Sequence, residues 1–245
     1  MRAALQEAMQ QIAANAPSAA AGSDPEYLHQ MRVGTRRLRA ALRASRGLWR
    51  EDDVRALRRQ LREPAAVSGP ARDWDVFLRT APAPLRARAR HRQRQAQAAL
   101  RRVLRSMQPL EPPRAAGNAR RSWPAFARHA LTRLDRKARR RAARTDWSDA
   151  AARHALRIRL RRLRYAAEFM SGAFPGRSAK ALMRSLKHLQ DLLGELNDLE
   201  VARRLTRQLM GREARPGERE RKLLSQLPGA WRRFAAAPRF WRGLR

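Results

Sequence analysis

Two stretches of the sequence combine a histidine with closely spaced arginines. HQMRVGTRRLRAALR covers residues 29–43, and HALRIRLRRLRYAAE covers residues 154–168. A guanidinium group donates two parallel hydrogen bonds to a phosphate and keeps its charge at physiological pH, and histidine adds a further donor. Residues of these types at this spacing predict a surface that binds phosphate groups.

Helical periodicity places the cations of each stretch on one side of a helix. At about 100° per residue, the cations of the first stretch fall within an arc of roughly 80°, which we call the first basic stripe. The cations of the second stretch fall within an equivalent arc, which we call the second basic stripe. The first stripe consists of His29, Arg32, Arg36, Arg39 and Arg43, and the second of His154, Arg157, Arg161 and Arg164. Separate apolar arcs for the core are formed by Met31, Leu38 and Leu42, and by Leu156, Leu160 and Leu163.

The helices that follow each stripe carry cations at i, i+4 and i+7. These residues are Arg55, Arg59 and Arg62 in the first stretch, and Lys180, Arg184 and Lys187 in the second. We expect few acids on these faces, with Glu168 the main exception. Like charges at i, i+4 destabilise a helix by a few tenths of a kcal/mol per pair, so the pattern predicts a polyanion as counterion. The other cation runs, such as Arg86–Arg94 and Arg139–Arg141, are interpreted as solvated surface.

The two stretches belong to an internal repeat with an offset of 154 − 29 = 125 residues. The offset also relates glycines, leucines and acids: Gly47 to Gly172, Leu57 to Leu182, Gly69 to Gly194, Asp73 to Asp198 and Asp75 to Glu200. Arginine enrichment alone would not keep these other residue types in register. We therefore expect a single domain built of two repeat units, 1–115 and 116–245, with the boundary in the proline-rich segment 108–118.

The apolar periodicity of both halves is helical, which predicts an all-α fold of two helical bundles. Predicted helices cover residues 2–15, 25–49, 51–63, 72–80, 84–107, 121–144, 148–173, 177–193, 195–211 and 217–234. Ser23 or Asp24 is expected to cap the helix that begins at Pro25, and Ser148 to cap a later one. Gly47, Gly172 and Gly194 are expected at helix ends, and Pro64 and Pro70 are expected to leave a short or irregular element.

Composition limits the classes of function. The 245 residues include 56 Lys and Arg against 21 Asp and Glu, a net charge of +35 that attracts polyanions. The chain has no cysteine, which excludes disulfides, thiolate catalysis and cysteine-based zinc sites. No apolar run reaches the roughly 18 residues of a membrane span, so we expect a cytoplasmic protein.

Two sets of residues admit a second interpretation. His29 and His154 could bind phosphate, bind a metal or be satisfied by hydrogen bonds within the protein; we favour phosphate or an internal hydrogen bond, because neither has a His or a carboxylate at i+3 or i+4. Asp73, Asp75, Asp198 and Glu200 could chelate a divalent cation. We interpret them as structural: each pair would lie in the first turn of a helix and orient arginines of a neighbouring helix. We therefore expect no metal site and no cofactor.

These motifs resemble the CHAD family, the conserved histidine α-helical domain. Its motif H-x-x-R-[VI]-x-x-R-R-L-R is matched by His29–Arg39 and by His154–Arg164. Its glycine followed by paired acids is matched by GPARDWDV and GELNDLEV, and the closing WRRFAAAPRFWR is similar to the family's end. The resemblance covers essentially the whole chain. It implies two pseudo-symmetric helical bundles around a basic central channel that binds inorganic polyphosphate without catalysis.

The residues to which we assign polyphosphate binding are the two stripes, the cations of the following helices and their immediate neighbours. They are His29, Arg32, Arg36, Arg37, Arg39, Arg43, Arg55, Arg59, Arg62, His154, Arg157, Arg159, Arg161, Arg162, Arg164, Tyr165, Lys180, Arg184 and Lys187. Association with polyphosphate granules is compatible with such binding.

The alternative hypothesis is a basic helical protein that binds nucleic acid through counterion release. Aromatic residues make up 6% of the chain and hardly interleave with the stripes, which disfavours single-strand binding by stacking. An enzymatic function is not expected. Glu218, Glu220 and Lys222 spell E-x-E-x-K, which resembles the triphosphate tunnel enzymes, but they lie in a helical stretch rather than on a strand.

Overall fold

The computed structural model describes residues 1–117, 122–211 and 217–242. In this part of the chain the regular structure is helical, apart from one isolated antiparallel bridge between Trp49 and Ala115. The all-α prediction is therefore confirmed. The helices are α1 (Arg2–Ala21), α2 (Pro25–Ala44), α3 (Glu51–Gln60), α4 (Arg62–Thr80), α5 (Arg86–Arg105), α6 (Trp123–Ala142), α7 (Ala150–Met170), α8 (Lys180–Met210) and α9 (Glu218–Ala236), with 3₁₀ turns at Ala83–Leu85 and Ser171–Ala173.

The chain divides into two compact units. The first unit is Met1–Asn118 with Val201–Glu213, and the second is Ala119–Glu200 with Ala214–Arg245. The division after Asn118 is near the predicted boundary, but the C-terminal third of α8 groups with the first unit. Residues 118 and 121, where the boundary segment was predicted to end and a helix to begin, lie outside the described residues. Residue 211, the predicted end of another helix, is the last described residue before the next gap.

In the first unit α1 packs closely on α2. A Cβ atom added at Gly34 would lie 3.0 Å from the Ala8 carbonyl oxygen and 3.0 Å from Ile12 Cγ1, so glycine permits this close approach of the two helices. A further apolar cluster joins α4, α5 and α8; it includes Trp74, Phe77, Leu85, Ala89 and Leu205. These contacts hold α2 and α4 of the first unit in place.

In the second unit the predicted apolar arc of α7 is fully buried. Leu156, Leu160 and Leu163 have no exposed surface. The segment that follows α9 adds aromatic packing, in which the rings of Phe174 and Phe240 lie 5.6 Å apart, edge to face. The core side of α7 is thus the one predicted from its periodicity.

Helices α2 and α7 each begin after an aspartate residue whose side chain caps the helix. The Asp24 side chain accepts a hydrogen bond from the Glu26 N–H at 2.7 Å and caps α2. Of the two predicted caps, Ser23 and Asp24, the structure thus has Asp24. The prediction of Ser148 as the cap of α7 is wrong. Asp149 caps that helix by accepting from the N–H groups of Ala151 and Ala152, because its carboxylate can reach both unsatisfied donors.

The predicted irregular element around Pro64 and Pro70 is wrong, since α4 is helical from Arg62 to Thr80. Pro64 is the third residue of the helix, where the missing N–H would have had no acceptor within the helix. Pro70 lies in the interior and removes the bond to the Ala66 carbonyl. Ala66 is exposed, so water can hydrogen-bond to that carbonyl instead.

The prediction that Gly194 ends a helix is also wrong. The two predicted helices 177–193 and 195–211 form one helix, α8, from Lys180 to Met210. An interior glycine costs about 1 kcal/mol relative to alanine, and burial of Leu193 and Leu196 on either side outweighs it. The paired acids therefore lie within α4 and α8 and not in first turns as predicted.

Candidate phosphate-binding site

The first basic stripe lies about a third of a turn around α2 from the buried apolar arc of that helix. Met31, Leu38 and Leu42 are at most 1% exposed. His29, Arg32 and Arg36 are half-buried, and the stripe continues into the exposed Arg39 and Arg43. The amphipathic pattern of α2 thus presents cations along one side of the helix while the other side packs in the core.

Helix α4 positions the N-terminal part of this stripe. Arg32 Nη1 donates a hydrogen bond to Ser68 Oγ at 3.1 Å, and a Cβ atom added at Gly69 would lie 3.7 Å from the same nitrogen. One turn further along α4, Arg72 Nη1 donates to the Pro25 carbonyl oxygen at 3.1 Å. The guanidinium of Arg32 therefore crosses α4 at residues 68 and 69, and Arg72 reaches the start of α2.

Three arginines surround the His29 imidazole electrostatically. Burial lowers the pKa of His29, and the charges of Arg72, Arg36 and Arg32 lower it further against the opposing effect of Glu26. Arg72 is not among the residues assigned to the site from the sequence. These three cations therefore disfavour protonation of His29.

The second unit contains equivalent contacts at positions shifted by 125. A Cβ atom added at Gly194 would lie 4.0 Å from Arg157 Nη2, which reproduces the approach of Arg32 to Gly69. His154 Nδ1 donates to Asn197 Oδ1 at 2.9 Å, and residue 197 is the equivalent of Arg72. The repeat therefore relates contacts between helices as well as residue types.

Several assigned cations already have a carboxylate partner. Arg164 binds Glu168 at 2.6 Å, as expected. The expectation that Glu168 is the main exception is wrong, because other pairs join Lys187 to Asp191 at 2.6 Å, Arg55 to Asp52 at 2.7 Å and Arg37 to Glu7 at 3.7 Å. The pair of Lys187 and Asp191 has i, i+4 spacing and the pair of Asp52 and Arg55 has i, i+3 spacing, and both spacings are visible in the sequence. Ion pairs at the surface contribute about 0–1 kcal/mol, so a phosphate can displace these carboxylates.

Tyr165 does not belong to the exposed set. It is 4% exposed and stacks against Phe169 with ring centroids 6.1 Å apart. The guanidinium of Arg164 lies over the Tyr165 ring, 4.7 Å from its centroid. We therefore correct its assignment: the ring belongs to the core and supports Arg164.

The remaining assigned residues differ in position between the copies. Arg55 and Arg59 lie on α3, whereas Arg62 begins α4, because the helix is interrupted at Leu61. Their equivalents Lys180, Arg184 and Lys187 lie on the single helix α8. All six are exposed, as is Arg159, while Arg161 and Arg162 are half-buried.

Comparison with known proteins identifies the family. The sequence model of the CHAD domain matches residues 3–207. The chain belongs to the CHAD domain family. The crystal structure of the CHAD domain from the plant Ricinus communis superposes with a TM-score of 0.71 at 29% sequence identity, and the match covers 97% of this chain and 91% of that one. PptA from Streptomyces chartreusis has the same fold at 17% identity, with a TM-score of 0.56 and 96% of each chain covered. No curated protein matches the chain significantly.

The paired acids of this CHAD domain have distinct partners. Asp73 accepts a hydrogen bond from Arg204 Nη2 at 2.7 Å, so it orients an arginine of another helix as predicted. Asp75 is buried and accepts from Gln93 Nε2 at 3.1 Å, and burial raises its pKa. Within residues 1–117, 122–211 and 217–242, no group of three or more His, Asp or Glu side chains is placed to hold a metal ion.

The E-x-E-x-K segment of the CHAD domain is part of helix α9. Glu220 is buried, with its carboxylate 3.8 Å from Arg153 Nη2, and Arg153 also donates to the carbonyl oxygens of Trp147 and Ser148. These contacts account for Glu220 as a structural residue. Among the described helices, none combines the length and apolar character needed to cross a membrane.

Proposed function

We propose that this CHAD domain binds inorganic polyphosphate through the basic stripes of α2 and α7, without catalysing its breakdown. The observation that carries the proposal is the repeated arrangement in which an arginine crosses a helical glycine beside a histidine, at Arg32 and Gly69 and again at Arg157 and Gly194. Each stripe lies on a helix whose other side is in the core, so its cations are presented to ligand by a fixed element.

The chemistry of the stripes supports a linear polyanion as ligand. Arginine donates bidentately to phosphoryl oxygens, and successive cations on a helix face contact successive groups of one chain. The net charge of +35 increases the rate of encounter with any polyanion. Arginine stays protonated and cannot serve as a general base, so a row of arginines favours binding over hydrolysis. That the two stripes enclose the ligand in one channel stays a prediction.

Charge reversal in both stripes tests the proposal. Replacing Arg36→Glu together with Arg161→Glu removes two phosphate contacts, each worth about 1.5–3 kcal/mol for a hydrogen bond to a charged group. We expect affinity for polyphosphate of defined length, measured by calorimetry over a salt series, to fall by about 100-fold or more. The matched control reverses two exposed arginines of α6, Arg128→Glu with Arg136→Glu, and changes the net charge equally.

Two results would contradict the proposal. One is unchanged polyphosphate affinity in the Arg36 and Arg161 variant while its helical circular dichroism is retained. The other is an equal loss in the control variant, which would show that net charge alone binds the ligand. Incubation of the protein with polyphosphate and Mg²⁺ is expected to release no phosphate, and a fluorescent fusion is expected at polyphosphate granules.

A further inference from the structure

Helix α5 carries an extended positive surface outside the two stripes. Its twenty residues contain no Asp or Glu, and eight arginines are exposed: Arg86, Arg88, Arg90, Arg92, Arg94, Arg101, Arg102 and Arg105. Three of them donate to backbone carbonyls of the same unit: Arg86 to Ala81, Arg88 to Leu209 and Arg101 to Ala20. From the sequence alone, Arg86–Arg94 are interpreted as solvated surface.

The charge of α5 is unfavourable for the helix itself. The N-terminal end of a helix carries a partial positive charge, and each cation near it is disfavoured by about 0.3–1 kcal/mol. The first turn of α5 has no acid and begins with Arg86, whereas α9 of the second unit has Glu218 and Glu220 in its first turn. Since α5 itself contains no acid, an external anion would relieve the repulsion among its cations.

The inner side of α5 fixes the helix to the first unit. Ala89 and Leu100 are fully buried, and Ala89 belongs to the apolar cluster with Trp74 and Phe77. Gln97 Nε2 donates to the Ala19 carbonyl oxygen at 2.8 Å, which ties α5 to the end of α1. The outer side is therefore presented by an element held at several points.

Six of the exposed arginines form two rows. At about 100° per residue, Arg90, Arg94, Arg101 and Arg105 fall within roughly 60°, and Arg88 and Arg92 lie about 150° away around the helix. Between the rows lie His91, Gln95 and Ala98, with Arg102 at the C-terminal end. Gln95 Nε2 lies 2.9 Å from His91 Nε2, and Arg92 Nη1 donates to Gln95 Oε1 at 3.2 Å. An uncharged, hydrogen-bonding strip thus separates two rows of cations.

From this arrangement we infer that α5 binds double-stranded DNA, lying in the major groove with its two arginine rows against the two phosphate strands. A helix with its side chains is about 10–12 Å across, and the B-DNA major groove is about 12 Å wide. The strip of His91 and Gln95 would face the base edges. A single polyphosphate chain would use only one row.

Other polyanionic partners fit this surface less well. Helices that lie in a membrane interface carry Trp, Phe or Leu on the buried face, and the outer side of α5 has none. Single-stranded nucleic acid is bound by aromatic stacking, for which α5 offers no ring other than His91. The deep, narrow major groove of double-stranded RNA does not admit a helix.

The first test removes one row. The variant Arg90→Gln, Arg94→Gln, Arg105→Gln keeps helix-forming side chains and removes three charges; the control Arg128→Gln, Arg136→Gln, Arg140→Gln removes three exposed charges from α6. The probe is a fluorescein-labelled 20-bp DNA duplex, titrated in fluorescence polarisation over a NaCl series. We expect the α5 variant to lose at least tenfold in affinity and about 2.7 from the slope of log K against log salt, at about 0.9 per phosphate. The control should stay within threefold of the wild type.

A second variant keeps every arginine. Ala98→Glu puts a carboxylate into the exposed strip, next to cations that stabilise it within the helix, and we expect about tenfold weaker DNA binding with an unchanged melting temperature. Both α5 variants should keep wild-type polyphosphate affinity, and the Arg36 and Arg161 variant should keep DNA binding. The two sites can therefore fail independently.

Three outcomes would overturn the inference. Equal losses in the α5 and α6 triple variants would show that DNA binding follows net charge and no particular face. A parallel loss of polyphosphate binding in both α5 variants would make α5 part of the polyphosphate surface. Tighter binding of duplex RNA than of duplex DNA would exclude insertion into the major groove.

Discussion

The carboxylate of Asp135 in α6 is predicted to be the most sensitive single polar group of the second unit. It has no exposed surface and accepts hydrogen bonds from Arg239 Nε and Nη2 at 3.2 and 3.0 Å, and from Arg139 Nε at 3.1 Å. Arg242 Nη2 lies 3.6 Å away. Because Arg239 and Arg242 follow α9, this one carboxylate fixes the C-terminal segment to α6.

Asp135→Asn keeps the shape of the side chain and removes its charge. The Arg239 side chain is 3% exposed, and burial already lowers its pKa despite the hydrogen bonds that it donates to Asp135. Removing one partner of a buried pair costs about 3–5 kcal/mol, since the other charge stays buried without a counterion. At about 2–4 °C per kcal/mol for a chain of this size, the melting temperature should fall by roughly 6–20 °C. Arg139 and Arg242 are partly exposed and can turn toward water, so they add little.

Thermal melts followed by circular dichroism at 222 nm measure this loss, with Arg242→Gln as the control that changes an exposed member of the same cluster. The control should melt within about 3 °C of the wild type, at the few tenths to 1 kcal/mol typical of surface ion pairs. Replacing both buried partners, Asp135→Leu with Arg239→Met, should recover at least half of the loss, because no unpaired charge remains. A variant Asp135→Asn that melts within 2 °C of the wild type would refute the reasoning, as would a double variant less stable than the single one.

Two further predictions concern the first unit. Gly34→Ala places a Cβ atom 3.0 Å from the Ala8 carbonyl oxygen, so overpacking of about 1–3 kcal/mol should outweigh the gain of about 1 kcal/mol in helix propensity and lower the melting temperature. Gly69→Ala, whose nearest neighbour would be Arg32 Nη1 at 3.7 Å, should raise it; the opposite order would contradict the packing argument. Burial and Arg72 lower the pKa of His29 below 6.5, so its contribution to stability is present above pH 6.5 and is lost as the pH falls through the window below it. A bound polyphosphate favours the protonated imidazole, so its affinity should rise as the pH falls, and NMR titration should show a higher His29 pKa in the complex; an unchanged pKa on saturation would place the ligand elsewhere.

Periodicity predicted the parts of the fold that depend on a single helix. The leucines of α7 and the apolar arc of α2 are buried as their spacing required, because an amphipathic helix has one side that can enter a core. The capping role of Asp24 was equally local, since it depends on one side chain and the N–H two residues ahead. Such features need no knowledge of the neighbouring helices.

Helix continuity depended on tertiary packing and was predicted less well. Gly194 and Pro70 are weak helix formers, yet both lie inside helices. The cost of each is of the order of 1–3 kcal/mol, and buried leucines and aromatics on the same helices contribute as much or more. Local propensity alone therefore indicated breaks at positions where the packed helix continues.

The contacts of the candidate site between helices could not be predicted from spacing. Ser68 and Arg72 come close to the first stripe only because α4 packs beside α2, at a distance of about 40 residues along the chain. Arg72 was also missed because its equivalent in the second copy is the uncharged Asn197, and the stripes were identified from residues that both copies share. The ion pairs of Arg55 and Lys187, in contrast, were readable from the sequence at i, i−3 and i, i+4.

The differences between the two copies matter as much as their similarities. Arg32 and Arg157 occupy equivalent positions over equivalent glycines, so the same contact recurs in both units. Their histidines differ, because His29 faces the charge of Arg72 whereas His154 donates to the neutral Asn197. An anion that binds beside His29 neutralises this repulsion, and at His154 an uncharged amide takes the place of Arg72. Arg72→Asn, which gives the first copy the residue of the second, should therefore reduce the pH dependence of polyphosphate binding that comes from His29.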